Sequence, residues 1–186
     1  MQGASLSYAT EDWLMNKELP HIHQDSLPAK FIGAIDGKSS WLHGDTYTLK
    51  LSQADTRGRF SLIEATVPPG GGPPMHIHKN EDEIFYVLQG ELDVIAGSEQ
   101  YKARSGDLVL IPKNVPHCFR NNGLHAVKQL LIFTPAGFEE FFEEAGTPAS
   151  PGVAPPAFDP DNNQRVIDVG IKYHAEQLPN PDLLRT

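Results

Sequence analysis

The chain has 186 residues, the length of one domain, of which 39% are hydrophobic, and its formal net charge is −9. Such an acidic chain repels the phosphate backbone of nucleic acids, and no basic cluster offsets that repulsion, so we expect no nucleic-acid partner. The single cysteine, Cys118, excludes an intramolecular disulfide.

The N-terminal segment predicts an arm over residues 1–29, with a short helix or coil near residues 11–17 and an extended stretch after it. The segment has no basic cluster followed by an apolar run, and nothing in the sequence reaches the length of a membrane span. We therefore expect a cytoplasmic protein without a membrane partner. His21 and His23 form an HxH pair, but no carboxylate or third histidine accompanies them, which favours a solvated arm.

From Phe31 onward, short β-prone runs alternate with turns rich in glycine, proline and asparagine. Sixteen glycines and sixteen prolines suit such a segment better than a helical bundle. The runs cover residues 31–35, 46–51, 60–67, 83–88, 91–95, 108–111, 117–120 and 126–133. Eight closely spaced strands with no helix between them predict an antiparallel barrel or sandwich over residues 30–135.

The C-terminal region, residues 136–186, predicts a helical extension and tail that pack on the barrel. Phe138, Phe141 and Phe142 recur at helical spacing, with Gly146 as the cap, and we interpret this stripe as a docking face. A second helix is predicted near residues 161–173, and the last dozen residues are expected to form a tail.

Three histidines and a carboxylate fall at metal-ligand spacing. His76 and His78 are two positions apart in an extended segment, so their side chains share one face, with Cα atoms about 6.6 Å apart. Glu83 begins the strand after a polar turn, so its carboxylate can lie on the same face as the two imidazoles. His117 follows a turn that Pro112 restricts. Imidazole and carboxylate together suit first-row divalent metals better than calcium or magnesium.

The identity of the carboxylate stays open on periodicity alone. If Glu83 faces inward, the apolar Phe85 and Val87 follow it. If Asp82 faces inward, Ile84 and further apolar residues follow, which is an equally reasonable set. Glu81 is a third candidate.

These two segments resemble the two sequence motifs of the cupin superfamily. The first motif is matched at every fixed position by Gly70-x5-His76-x-His78-x4-Glu83-x6-Gly90. The second is matched by Gly106-x5-Pro112-x-Asn114-x2-His117-x3-Asn121, except that Asn114 stands where the pattern has glycine. Asparagine tolerates positive φ better than other non-glycine residues, so the turn should survive this change.

The resemblance implies an all-β fold, the cupin double-stranded β-helix or jelly-roll-type barrel, with short C-terminal helices. It also implies one divalent transition metal ion, which can be Mn, Fe, Co, Ni, Cu or Zn. The implied ligands are His76, His78, Glu83 and His117, and this spacing favours Glu83 over its acidic neighbours.

Within the cupins, the chain is most similar to single-barrel quercetin 2,3-dioxygenase-like proteins. The segments behind this similarity are Pro112-Lys-Asn114-x-x-His117 and Gly137-Phe138-x-x-Phe141-Phe142-x-x-x-Gly146-Thr-Pro-Ala. The similarity implies a metal-dependent dioxygenase that cleaves a flavonol or related aromatic enol with O2 and releases carbon monoxide. A homodimer is the expected assembly.

For such an enzyme, Glu83 would ligate the metal and also take the hydroxyl proton of the substrate, which requires a pKa raised by apolar surroundings. The side chains expected to line the substrate pocket are Tyr47, Phe60, Phe85 and Phe119. Two alternatives stay open. One is another metal-dependent cupin enzyme, an isomerase, decarboxylase or oxygenase on a small substrate, for which Arg59 is a candidate anion contact. The other is a non-catalytic cupin that binds metal and ligand.

Overall fold

The computed structural model describes residues 27–180, in which one compact unit begins at Phe31. Twelve strands are present in this range: β1 Lys38–Leu42, β2 Asp45–Leu51, β3 Ser61–Val67, β4 His76–His78, β5 Asp82–Gln89, β6 Glu91–Ala96, β7 Glu99–Arg104, β8 Leu108–Ile111, β9 His117–Arg120, β10 Val127–Thr134, β11 Thr147–Pro148 and β12 Ala175–Gln177. The helices are α1 Gln53–Thr56, α2 Glu139–Ala145 and α3 Gln164–Lys172, with a 3₁₀ turn at Pro160–Asn162. None of these helices has the length and hydropathy that a membrane crossing requires.

The strands form two antiparallel sheets. The larger has the order β11-β1-β2-β3-β10-β5-β8, and the smaller has the order β12-β4-β9-β6-β7. Long pairings between strands that are distant in sequence, such as β3 with β10, hold the larger sheet together. The all-β fold class predicted from the sequence is confirmed.

The core lies between the two sheets because their strands alternate apolar and polar residues. In β3 and β5 every second side chain is buried, as the two-residue repeat of an extended strand requires. The inner faces contribute Ile63, Ala65, Val67, Phe85, Val87, Leu92, Val94, Ile111, Leu131 and Phe133. Full burial of each large apolar side chain contributes about 1.5–3 kcal/mol.

The prediction of a strand at residues 31–35 is wrong. Residues 31–35 form no strand, and the side chains of Phe31 and Ile35 are almost fully exposed. The Asp36 carboxylate accepts a hydrogen bond from the Gly33 amide at 2.8 Å, and the Asp36 amide donates to the Gly33 carbonyl at 3.1 Å. This closed turn ends the extended segment, and the sheet begins at β1.

Strands β1, β7, β11 and β12 lie outside the predicted runs. β7 is polar and buries only Ala103, so it shows no apolar alternation. β12 lies in the predicted tail, yet it pairs antiparallel with β4, with Gln177 opposite His76 and Ala175 opposite His78. The helix or coil expected near residues 11–17 lies outside the described residues.

The two C-terminal helices are confirmed, and they contribute to the barrel core. Phe138, Phe141 and Phe142, in and just before α2, belong to the same buried cluster as the sheet side chains. Arg165 of α3 donates to the Ala145 carbonyl at the end of α2, at 2.8 Å. The segment after residue 135 therefore supplies both core side chains and an edge strand.

A buried carboxylate supports the loop before β4. Asp45 accepts a hydrogen bond from the Tyr47 hydroxyl at 3.1 Å. A Cβ at Gly71 would lie 2.3 Å from Asp45 Oδ1, so this close approach requires glycine. Burial raises the pKa of Asp45 to about 7, although Tyr47, the Gly72 amide and Arg120 favour the ionised form.

This raised pKa makes stability depend on pH through Asp45. Between about pH 4 and pH 7 the folded protein keeps a proton that the unfolded chain has lost, so the free energy of unfolding falls as the pH rises. The contribution lost is on the order of 4 kcal/mol. Urea denaturation across this range should show that Asp45→Asn abolishes this part of the slope. Parallel curves for the two proteins would contradict the assignment.

Candidate metal centre

Four side chains from three strands converge inside the barrel. His76 and His78 lie in β4, Glu83 lies in β5, and His117 begins β9. One ligand atom from each of the four lies within 4.8 Å of all the others. His76 and His117 are register partners across the β4–β9 ladder, so strand pairing itself brings these two imidazoles together. Their ring centroids are 4.3 Å apart.

Backbone carbonyls fix the tautomers of two of the histidines. His76 Nδ1 lies 2.9 Å from the Pro74 carbonyl, and His117 Nδ1 lies 2.8 Å from the Val115 carbonyl. A carbonyl oxygen only accepts hydrogen bonds, so each Nδ1 carries the proton. Each Nε2 therefore keeps a lone pair, which is the form that ligates a metal.

Lone pairs then face each other across the cluster. His117 Nε2 lies 2.8 Å from Glu83 Oε2, and His78 Nε2 lies 3.2 Å from the same oxygen. Both ring nitrogens of the buried His78 have no hydrogen-bond partner among the described residues. A buried polar atom without a partner is costly, and two acceptors at this separation repel unless a cation lies between them.

The donor set fits a transition metal ion. Two ligands of one ion lie at most about 4.2 Å apart when each bond is about 2.1 Å, so shifts of a few tenths of an ångström would bring the four atoms to bonding distance. Desolvation and the neighbouring His117 and His78 lower the pKa of His76 well below its usual value, which keeps this imidazole neutral. The cluster can therefore hold a divalent transition metal.

The structure separates Glu83 from its acidic neighbours. Glu83 is buried on the inner face of β5, whereas Asp82 faces outward and its Oδ1 accepts a hydrogen bond from the Lys113 amide at 2.9 Å. Glu81 is buried too, but it is not among the four converging groups, and burial raises its pKa to about 7. Alternation in β5 thus places Glu83, and neither neighbour, in the cluster.

The expected raised pKa of Glu83 is wrong. Burial alone would raise the pKa of this carboxyl, but the adjacent His117 and His78 side chains outweigh burial and hold it well below its usual range. Glu83 is therefore ionised at neutral pH.

A cavity of about 60 Å³ opens beside the cluster, and its walls are mostly apolar. Tyr47 and Phe119 line it, as predicted. Phe60 does not line it and lies just before β3. Phe85 does not line it because its buried ring packs edge-on against Phe119 deeper in the core, with centroids 5.3 Å apart.

Most of the remaining walls come from elements that sequence reasoning did not place at the site. They are Leu42, His43, Pro73, Pro74, Leu131, Phe133, Phe138, Phe141, Phe142, Val166, Ile167, Gly170, Ala175 and Gln177. The phenylalanine stripe of α2 is therefore both a docking face and a cavity wall. The helical spacing revealed the stripe, but no local signal showed where α2 docks.

The other candidate residues lie elsewhere. Arg59 is exposed, and its Nε donates to the Thr56 carbonyl at 2.9 Å. Cys118 is a buried free thiol, and burial raises its pKa to about 11, which suits a core residue rather than a nucleophile. Asn114 has φ 66°, as expected for its glycine-like position. His21 and His23 lie outside the described residues.

Comparisons with known proteins agree with this geometry. Residues 63–133 match the family described as the cupin domain. The quercetin 2,3-dioxygenase of Bacillus subtilis is 29% identical over 108 residues, which are 58% of this chain and 32% of that protein. This chain thus spans about a third of the length of that relative.

Two solved structures share the fold. KdgF from a Halomonas species has a TM-score of 0.54 and 17% identity over 61% of this chain and 99% of that one. A predicted oxalate decarboxylase from Thermotoga maritima has a TM-score of 0.54 and 18% identity over 57% of this chain and 99% of that one. The fold and the resemblance stated from the two motifs are confirmed.

Substitution of Glu83 and of the nearby buried Glu81 should distinguish a metal ligand from a neighbouring carboxylate that does not bind the metal. We expect Glu83→Gln to lower affinity for Zn²⁺ or Ni²⁺ at least about ten-fold, because a neutral amide replaces the anionic donor. Glu81→Gln, the matched control, should retain the affinity within about two-fold. Isothermal titration of the metal-free proteins measures both. Equal affinities for the two variants would rule out Glu83 as a ligand.

Proposed function

Since this chain contains a cupin domain, we propose that it is a metal-dependent dioxygenase of the quercetinase type. Its substrates in this proposal are a flavonol, or a related aromatic enol, and O2. The observation that carries the proposal is the position of the three-histidine, one-glutamate cluster, which opens onto a cavity walled by phenylalanines. The dioxygenase named among the relatives supports the same reaction class.

The cluster residues would have two roles, to bind a metal ion and to accept a proton from the substrate. A divalent transition metal held by His76, His78, Glu83 and His117 would supply Lewis acidity toward the enol oxygen of the substrate. The Pro74 and Val115 carbonyls hold two of the imidazoles with their Nε2 lone pairs inward. Protein groups alone fix this orientation, so little reorganisation is needed.

Glu83 is the proposed acceptor of the enol proton. Its carboxylate lines the cavity and is ionised, so it can accept a proton without first losing one. The same contacts with His78 and His117 that lower its pKa also make it a weak base in this position. The proton therefore transfers when the carboxylate turns from the histidines toward the substrate hydroxyl.

The cavity walls favour a flat aromatic substrate. The lining includes no arginine or lysine from the described part of the chain, so the second carboxylate of a dicarboxylate would find no cationic side chain there. Phe133, Phe138 and Phe142 offer ring faces and edges instead, and they exclude water from the site.

The small cavity requires that the C-terminal helices move to admit a flavonol. Ligand sites of this size class measure about 300–1,000 Å³, far above the 60 Å³ present. Contacts between α2 and α3 include exposed pairs, such as Lys172 with Glu144 at 2.6 Å. Exposed pairs of this kind contribute about 0–1 kcal/mol each, so the cost of an outward shift is set mainly by the buried phenylalanines of the α2 segment.

The cavity volume also favours a second candidate function. A metal-dependent cupin enzyme acting on a small uncharged substrate would need no helix movement at all. Hydrogen exchange distinguishes the two, because a flavonol that enters should increase exchange in α2 and α3, whereas a small substrate should leave it unchanged.

Turnover of quercetin is the direct test of the dioxygenase. Protein reconstituted in turn with Mn, Fe, Co, Ni and Cu should bleach the visible absorbance of quercetin under air with at least one metal. O2 consumed and carbon monoxide released should be equimolar. Glu83→Gln should lower kcat at least about 100-fold through loss of the proton acceptor, and Glu81→Gln should lower it only slightly. No turnover with any of the five metals would refute the dioxygenase proposal.

We also propose that the protein is a cytoplasmic homodimer that pairs through the outer face of the larger sheet. β8 is an edge strand, and its Leu108 and Leu110 are 58% and 56% exposed. They lie beside Tyr86 and Ile84 in register, so the apolar surface is continuous. A second copy that covers this edge would remove an exposed apolar strand from solvent. A reduced, buried Cys118 is compatible with the cytoplasm.

Light scattering after gel filtration tests the dimer. Wild type should have twice the 20.5 kDa chain mass. Leu110→Lys should shift the protein to the monomer, since an ammonium group would be buried at the interface. Leu124→Lys is the matched control, because Leu124 is 90% exposed in a loop between β9 and β10. A monomeric wild type, or dissociation by both variants alike, would contradict the proposed interface.

A further inference from the structure

The turn between β1 and β2 has a histidine at a backbone position that usually takes asparagine or glycine. Leu42 pairs with Asp45, so the loop is only His43 and Gly44, and these have φ values of 53° and 86°. Positive φ at both positions is typical of the type I′ hairpin, for which Asn-Gly is the preferred pair. Histidine is among the non-glycine residues that tolerate positive φ, so the turn accepts His43, and any role of its ring depends on what the ring contacts.

The His43 ring lies in the wall of the cavity beside the metal centre. Phe158 contacts it edge-on, with centroids 4.9 Å apart. His43 Nε2 lies 3.3 Å from Asn163 Oδ1, while Asn163 Nδ2 donates to Gln177 Oε1 at 2.7 Å. This chain of contacts connects the β1–β2 turn to the start of α3 and to β12.

The network determines which nitrogen of His43 carries the proton. Asn163 uses its amide nitrogen on Gln177, so its oxygen is the acceptor for His43 Nε2–H. Burial lowers the pKa of His43 to about 4, more than the Asn163 bond raises it, so the ring is neutral at neutral pH. Nδ1 therefore keeps an unprotonated lone pair, and no described residue donates to it.

Other polar side chains of the cavity wall are already engaged. Tyr47 donates its hydroxyl proton to Asp45, and Gln177 Oε1 accepts from Asn163. Outside the metal cluster, among lining residues that the structure describes, His43 Nδ1 is a ring acceptor to which no protein group donates. An unpaired acceptor on an apolar wall favours a ligand that brings a hydroxyl to it.

We propose that His43 is a specificity-determining residue, whose Nδ1 accepts a hydrogen bond from a phenolic hydroxyl of the substrate that is remote from the enol at the metal centre. The inference rests on the proposed function and narrows its substrate class to polyhydroxylated flavonols, in preference to flavonols without further hydroxyls. A substrate that lacks this hydroxyl leaves the acceptor unpaired, and so binds more weakly.

Ligand binding to the zinc-loaded protein tests the proposed role of His43 without turnover, because zinc has no redox chemistry. The ligands are quercetin and 3-hydroxyflavone, which shares the enol but lacks the other hydroxyls. The variant is His43→Asn, which the type I′ turn accommodates without strain. His174→Asn is the matched control, since His174 also has positive φ, at 60°, but is exposed and outside the cavity lining.

Wild type should bind quercetin more tightly than 3-hydroxyflavone. His43→Asn should raise the Kd for quercetin about five-fold and change that for 3-hydroxyflavone less than about two-fold, as the loss of one neutral hydrogen bond predicts. His174→Asn should change neither. An equal change for both ligands, or none for quercetin, overturns the inference and leaves the proposed function standing. Absence of binding of either ligand to wild type overturns both.

Discussion

The metal centre depends on two lone pairs that face each other inside the barrel. His117 Nε2 and Glu83 Oε2 lie 2.8 Å apart, and the Val115 carbonyl fixes the imidazole proton on the far nitrogen. Without a proton or a metal ion between these two atoms the contact opposes folding, because two buried acceptors repel. With a metal ion, both atoms become ligands. Metal binding should therefore be coupled to the stability of the whole barrel.

The C-terminal segment makes this site a closed one. β12 pairs with β4 directly opposite the first two histidines, and α2 places Phe138 4.2 Å from the His78 ring by centroid distance. An apolar cover excludes water and strengthens each electrostatic contact beneath it. The same cover reduces the cavity to a small volume, so protection of the site and admission of a large substrate compete.

Local patterns predicted the parts of the molecule that local physics determines. The ligand positions His76, His78, Glu83 and His117 follow from strand alternation together with the motif spacing, and most strands follow from apolar alternation. β12 carried no such signal, since its role depends on pairing with a distant strand. The low pKa of Glu83 was equally hidden, because histidines from other strands reverse the effect of burial. Tertiary contacts, not propensity, decide such features.

Selectivity in this cavity should come from its polar groups rather than from its apolar walls. On the proposed function, the metal cluster would bind the enol oxygen of the ligand, and His43 would accept a hydrogen bond from a second hydroxyl of the same ligand. A ligand that meets only one of these two groups would gain less free energy to offset the displacement of α2 and α3, because a closed state reduces apparent affinity by the fraction of open molecules. A rigid aromatic ligand with two such hydroxyls would meet both groups at low entropic cost.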